Sequence, residues 1–269
     1  MDINLVGVII LEYVVKEWIR HHHDAERAQA IRRSWRGMDQ LLVKRSRRNG
    51  LLHSGQVMTK RYLHTMDELT CFLPGTLLLY LYHEDGLGAM DDAVRRENDH
   101  YRTVAKSLLY SCFVMANSTR TGLPPETATF SDTQGILIRK NQKHYALRPE
   151  TIESFFYLKE TEHDPIAQEW GWLFYQAIER NCRVDGGYAM FSDVHGDGAP
   201  EDTAESYFPA ETLKYLYLLF KPDSVVDLKR NVLTTEGHIF PIRAYPCLFG
   251  PQFLSSPHSF LAVTVNIRK

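Results

Sequence analysis

Two carboxylates and an arginine converge at the start of one predicted helix, in the stretch Leu147-Arg148-Pro149-Glu150-Thr151-Ile152-Glu153-Ser154-Phe155-Phe156-Tyr157-Leu158. Pro149 suits the first helical position, where its missing N–H is no loss, so Glu150 falls in the first turn. There the helix dipole favours the ionised carboxylate, the form a general base needs. Glu153, three residues on, lies near the same face and duplicates the charge. A plainer account makes both glutamates dipole-complementing residues and Arg148 their surface partner, since acidic first turns are an ordinary helix preference.

Tyr207 and Glu211 form a second candidate pair, four residues apart in Glu205-Ser206-Tyr207-Phe208-Pro209-Ala210-Glu211. A helix continuing through Pro209 puts ring and carboxylate on one face, where the ring can stack on a pyranose and the carboxylate can accept hydroxyl hydrogen bonds. The competing account places Tyr207, Phe208, Tyr215 and Leu216 in the core and Glu211 in solvent. A third segment, Thr234-Thr235-Glu236-Gly237-His238, offers hydroxyl, carbonyl and carboxylate oxygens, hard donors that suit calcium. A turn closed by a side-chain hydrogen bond is the alternative. His21-His22-His23 points in different directions on a helix, a poor arrangement for one metal ion. The basic run Arg32, Arg33, Arg36, Lys44, Arg45, Arg47 and Arg48 lacks interleaved aromatics, so it reads as a solvated helix face and not a nucleic-acid site.

The elements that must hold these residues are mainly helices. Helical periodicity marks Leu11 to Ile19, Ala25 to Leu42, Leu69 to Tyr82, Val104 to Met115, Thr151 to Leu158, Ile166 to Ile178 and Glu211 to Phe220. Turn-rich connections at 84–86, 121–125, 185–187 and 196–198 separate helices and not domains. From Val232 to Ile267, β-branched and aromatic residues mixed with Pro241, Pro246, Pro251 and Pro257 predict short strands and irregular coil. With 269 residues, 44% of them hydrophobic, the chain can bury a large core, and a net charge of −2 gives no field for nucleic acid or an anionic membrane.

The apolar stretch Leu5 to Val15 is interrupted by Glu12 and falls short of the roughly 20 residues of a membrane span. It also lacks the charged start and small-residue cleavage site of a secretory signal. Cys71, Cys112, Cys182 and Cys247 lack the paired spacing of a zinc site, which leaves structural thiols or a disulfide. Asn117-Ser118-Thr119 is an N-glycosylation pattern, relevant in a secretory compartment.

In order along the chain, these segments resemble the class I α-1,2-mannosidases of glycoside hydrolase family 47. Met66-Asp67-Glu68-Leu69-Thr70-Cys71-Phe72-Leu73-Pro74-Gly75 is similar to that family's Cys-Phe-x-Pro-Gly helix, and Thr121-Gly122-Leu123-Pro124-Pro125-Glu126 to its Thr-Gly-Leu-x-Pro-Glu loop. Arg148-Pro149-Glu150-Thr151-Ile152-Glu153-Ser154, Glu169-Trp170-Gly171-Trp172, Glu211-Thr212-Leu213-Lys214-Tyr215-Leu216 and Thr235-Glu236 complete the series over roughly residues 8 to 240.

The resemblance implies an all-α fold, part of an (α/α)7 barrel of helical hairpins with short β-hairpins and an irregular C-terminal segment. It implies inverting removal of α-1,2-linked mannose from high-mannose N-glycans, with Ca2+ as cofactor. Inversion uses an acid and a base set roughly 6.5–9.5 Å apart, with water between them. On this likeness Glu150 is the base. Arg148, Glu153, Tyr207, Glu211 and Glu68 match sugar-pocket positions, Thr235 matches the calcium threonine, and Cys71 and Cys112 match the family's disulfide. The expected location is the lumen of the endoplasmic reticulum or Golgi, with any membrane anchor outside this chain.

There are departures. Glu12-Tyr13-Val14-Val15-Lys16 resembles a family helix whose catalytic aspartate stands four residues before the Glu, where this chain has Val8. The family's general acid lies further N-terminal still. Glu68 stands where many members have histidine, and Tyr207 where many have phenylalanine. The chain therefore reads as a single incomplete catalytic domain over residues 1–269, the C-terminal half, with impaired turnover and with apolar surface left open beside Leu11 to Ile19. The alternatives are a non-catalytic, calcium-dependent mannose-glycan-binding fragment and a helical scaffold that binds no sugar.

Overall fold

The computed structural model describes residues 5–21, 23–88 and 90–242, with side chains from Ile9 onward. His22, Cys247, the Val8 side chain and the predicted strand-and-coil stretch beyond residue 242 lie outside the described residues. Helices form at each of the seven predicted places: α1 Leu5–Arg20, α2 Ala25–Leu41, α3 Phe72–Asp85, α4 Asp92–Asn117, α5 Glu150–Glu162, α6 Ile166–Asn181 and α7 Leu213–Phe220. None of them is long and apolar enough to cross a membrane. Leu11, Val15, Trp18 and Ile19 of α1 are buried, whereas Ile10 and Tyr13 of the same helix are exposed.

Helices α3 and α5 are the centre of the core. Every residue from Phe72 to Leu81 is buried, as is every residue from Thr151 to Leu158, the signature of helices covered on all sides. They approach closely at Gly75, where a Cβ would come within 2.9 Å of the Ser154 Cα and 2.8 Å of its Oγ. The Gly75 N–H donates to Ser154 Oγ at 2.9 Å, and that hydroxyl donates to the Cys71 carbonyl. A 3-10 turn over Glu68–Cys71 leads into α3, and the Cys71–Cys112 disulfide ties it to α4. The remaining described cysteine, Cys182, is a buried thiol pushed up to about 12 by burial.

Two elements differ from the sequence expectation. Helix α4 starts three turns before the predicted Val104, because Asp91 caps it by accepting from the N–H groups of Ala93 and Val94 at 2.8 and 2.9 Å. Its first turns are polar, so no apolar period marks them; ion pairs hold them instead. Arg32 and Arg36 of α2 both bind Glu97, Arg32 also binds Glu84 at 2.5 Å, and Arg102 binds Asp85 and Glu162. The basic run is thus not one solvated helix face: Arg32 and Arg36 are interhelix partners, while Lys44 and Arg45 lie on a strand. Helix α7 begins differently too, as the continuation of a π-turn over Phe208–Thr212, where Pro209 lacks an N–H to donate.

Short antiparallel strands fill the connections: β1 Val43–Arg45 with β2 Leu52–Ser54, β3 Gln56–Met58 with β4 Arg61–Leu63, the three-stranded β5 Thr65–Asp67, β6 Thr127–Ser131 and β7 Gly135–Leu137, then β8 Arg183–Val184 with β9 Gly187–Tyr188, and β10 Asn231–Leu233 with β11 Ile239–Pro241. The β5–β6 register sets Asp67 opposite Thr127, so Glu68 and Glu126 meet at the end of the sheet, where the Glu68 N–H donates to the Glu126 carbonyl at 2.9 Å.

Candidate functional site

One cavity of about 160 Å³ gathers most of the residues singled out from sequence: Arg148, Glu150, Glu153, Tyr207, Glu211 and Thr235 all line it. Glu12 of α1 and Glu236 add two further carboxylates. Glu68 does not line it; it is buried behind the wall, where Oε1 accepts from Thr151 Oγ1 at 2.8 Å and Oε2 has no hydrogen-bond partner.

The backbone that presents Arg148 and Glu150 is held in an unusual shape. Leu147, fully buried, has φ +62°, a left-handed conformation that a Cβ-bearing residue adopts at a cost of about 1–3 kcal/mol. Hydroxyl groups on either side hold it there. Tyr207 OH donates to the Ala146 carbonyl at 2.5 Å, Thr212 Oγ1 to the Leu147 carbonyl at 2.7 Å, and Tyr145 OH to the Arg148 carbonyl at 3.3 Å. Tyr207, which lines the cavity at the start of the π-turn, thereby also shapes the segment that starts α5.

Arg148 is not the surface partner of the helix-start glutamates. Its guanidinium binds Glu126, with Nε at 3.0 and 2.9 Å from the two carboxylate oxygens and Nη2 at 2.5 Å from Oε1. Burial pulls its pKa down, but the paired Glu126 carboxylate more than offsets that and raises it. Glu150 keeps part of its surface open while its Oε2 is buried without a hydrogen-bond partner. Burial, and then the neighbouring Glu68 carboxyl group, push Glu150 well above the usual carboxylate range; the helix-start N–H and Arg148 oppose this with smaller effect. The helix dipole that predicted an ionised Glu150 is therefore outweighed. Glu68 is raised as well, by burial, with the Thr151 hydroxyl pulling the other way.

Glu153 is no solvated helix-start residue either: it is 3% exposed. Tyr215 OH donates to its Oε1 at 2.9 Å, and Lys16 Nζ lies 3.6 Å from the same oxygen. Lys16 also binds Glu12 through a short contact within α1. Burial pushes Glu153 up to about 8, with Lys16 opposing and Glu12 adding to the shift. Glu211 is pushed up to about 7 by burial and by the Glu236 and Glu12 carboxylates. Tyr207 is half-buried against the cavity, whereas Phe208, Tyr215 and Leu216 are core, so the core account holds for three of those four residues.

The two threonines after β10 separate cleanly. Thr234 closes a turn, its Oγ1 accepting from the His238 N–H at 3.1 Å and its carbonyl from the Gly237 N–H at 3.0 Å. The Thr235 hydroxyl oxygen is buried and has no hydrogen-bond partner. An orphaned hard donor beside several carboxylates fits a hard cation such as calcium. Among the described residues no three His, Cys, Asp or Glu side chains converge on one ion position. The two described members of the histidine triplet have different partners: His21 pairs with Glu17 at 3.0 Å, while His23 packs edge-on to Trp18 and lies 3.3 Å from His83.

Sequence reasoning missed Glu12, Lys16 and Glu126 as members of the site. Glu12 and Lys16 carried a usable signal, an i, i+4 opposite-charge pair inside an otherwise apolar helix. Glu126 carried none of its own, because only the sheet register brings it to Arg148.

The profile of Glycosyl hydrolase family 47 matches residues 10–242. The endoplasmic reticulum mannosyl-oligosaccharide 1,2-alpha-mannosidase of Rattus norvegicus is 36% identical over 241 residues, which cover 86% of this chain and 35% of that protein. Mannosyl-oligosaccharide 1,2-alpha-mannosidase IA of Sus scrofa is 33% identical over 245 residues, covering 90% of this chain and 36% of its own length. The chain thus spans about a third of the length of the curated relatives it matches. The structure of the alpha-1,2-mannosidase from Trichoderma reesei superposes with a TM-score of 0.75 at 23% identity, over 87% of this chain and 51% of that one. The helices described above accordingly form part of an (α/α)7 barrel.

Proposed function

From the premise that this chain belongs to glycosyl hydrolase family 47, we propose that its cavity is one wall of a site that takes terminal α-1,2-linked mannose of high-mannose N-glycans for hydrolysis with inversion. The observation that carries this reading is the convergence of six side chains from three separate segments, Arg148 with Glu150 and Glu153, Tyr207 with Glu211, and Thr235, on a single cavity.

On this reading residues 1–269 are one incomplete catalytic domain, and Glu150 is the base. Its carboxylate, part of which is open to the cavity, would take a proton from the water that attacks the anomeric carbon. The bond from that carbon to the leaving oxygen breaks as water adds, and a separate acid supplies the proton for the leaving oxygen. By the resemblance, that acid is not one of these six residues. Tyr207 offers a ring face held rigid by its hydroxyl bond to Ala146, and Glu153 and Glu211 offer oxygens to sugar hydroxyls. Arg148, held by Glu126, fixes a positive charge at the rim. Thr235 would hold calcium through its hydroxyl and carbonyl oxygens, and the ion would supply charge and coordination sites for sugar hydroxyls. The Cys71–Cys112 disulfide agrees with the oxidising lumen of the endoplasmic reticulum or Golgi.

One observation favours a second reading, calcium-dependent glycan binding without turnover. Burial and the neighbouring Glu68 carboxyl group raise the pKa of Glu150, which works against the ionised form that a base needs. Mannose release from α-1,2-mannobiose, with calcium and after its chelation, decides between them. Calcium-dependent release supports hydrolysis, and binding without release supports the second reading. Neither binding nor release overturns both.

A further inference from the structure

Lys16 is a buried cation, 4% exposed, on a helix whose other buried side chains include Leu11, Val15, Trp18 and Ile19. Burying an ion pair is an expensive way to stabilise a fold, and well-packed apolar residues often do as well or better. Its partners point to a different use. Lys16 Nζ binds Glu12 Oε1 within α1 and lies 3.6 Å from Glu153 Oε1 of α5, so one ammonium sits between two carboxyl groups that both line the cavity and joins α1 to α5 through the second. Tyr215 OH, from α7, donates to the same Glu153 oxygen at 2.9 Å. With Oε1 tied on each glutamate, Oε2 is the oxygen left to turn into the cavity. The other cations at hand are committed elsewhere, Arg148 to Glu126 and Lys214 to the Gly237 carbonyl.

We propose that Lys16 is a positioning residue for this cavity, holding one oxygen of Glu12 and one of Glu153 so that their second oxygens face the hydroxyl groups of a bound mannose. This rests on the sugar-site reading above. Without the ammonium, neither carboxyl group keeps the anchor on its Oε1, and the sugar loses two fixed acceptors.

The test uses the full chain with calcium, α-1,2-mannobiose as ligand, and calorimetry alongside thermal melting. Because K16M alone strands two buried carboxylates, the comparison is E12Q with E12Q/K16M, which removes one charge of each sign. The expected result is binding by E12Q/K16M about tenfold or more weaker than by E12Q, at a similar melting temperature, with E12Q/K16R recovering most of the loss. Equal binding by E12Q and E12Q/K16M makes Lys16 a merely structural cation and overturns the proposal alone. No binding by the parent chain overturns the sugar-site reading and this proposal with it. If E12Q/K16M does not fold, the parent decides: the Glu153 carboxyl carbon and Lys16 ζ-nitrogen resonances must shift together as α-1,2-mannobiose is added, and an unmoved pair overturns the proposal.

Discussion

Glu150 and Glu153 stand three residues apart in one helical turn, yet they face different charges: Glu150 meets another carboxyl group in Glu68, Glu153 meets the ammonium of Lys16. Residue types and spacing made the pair, Arg148, Tyr207, Glu211 and Thr235 legible in the sequence. Which groups they would meet was not legible, because Glu68, Glu126 and Lys16 arrive from other elements. Those partners set the pH behaviour. Glu153 and Glu211 have folded values of about 8 and about 7, above the ordinary carboxylate value of 4.5. In a group raised on folding, the native state binds more protons, so the stability it contributes is complete below about 4.5 and lost as pH rises through the folded values. Melting of the calcium-free chain should therefore move to lower temperature between about pH 5 and about pH 8, with a shallower decline above pH 7 in E153Q. Stability that rises across that window would contradict the placement of these groups. Thr235 gives a second prediction. Calcium at a hundredfold excess over its Kd should stabilise the chain by about 2.7 kcal/mol, and T235A should lose most of that shift; an unchanged shift would assign the ion elsewhere.

Helix positions follow from apolar periodicity at each of the seven predicted places, but their ends follow from other chemistry. The polar opening of α4 is fixed by the Asp91 cap and by arginine–glutamate pairs, neither of which leaves a period. The π-turn before α7 and the left-handed Leu147 are tertiary features, imposed where Thr212 and Tyr207 grip the 146–147 carbonyls. Packing of α3 on α5 matters most for the site, since α5 carries Glu150 and Glu153. Gly75→Ala should be destabilising by about 1–3 kcal/mol, because the added methyl meets Ser154 backbone and the Tyr157 ring inside 3 Å. The same change should weaken sugar binding by displacing the start of α5. Denaturant melts of the two chains check the first effect; equal midpoints would mean that the two helices slide apart freely.

Across the whole molecule, the Cys71–Cys112 bridge closes a segment of 41 residues and joins the turn bearing Glu68 to α4. On the chain-entropy account a loop of that length is worth about 4 kcal/mol, so C71A/C112A should unfold at markedly lower denaturant, and unchanged unfolding would show that helix packing alone holds this half together. Family membership was readable because six ordered motifs survive in sequence, whereas the buried ion network behind them depends on how distant elements meet. In the proposed function these elements assemble one calcium-supported mannose site. Calorimetric titration of α-1,2-mannobiose into the chain, with calcium and after chelation, tests that most directly. The prediction is saturable binding at one site that is lost on chelation and in E211Q; heats indistinguishable from dilution in the presence of calcium would contradict it.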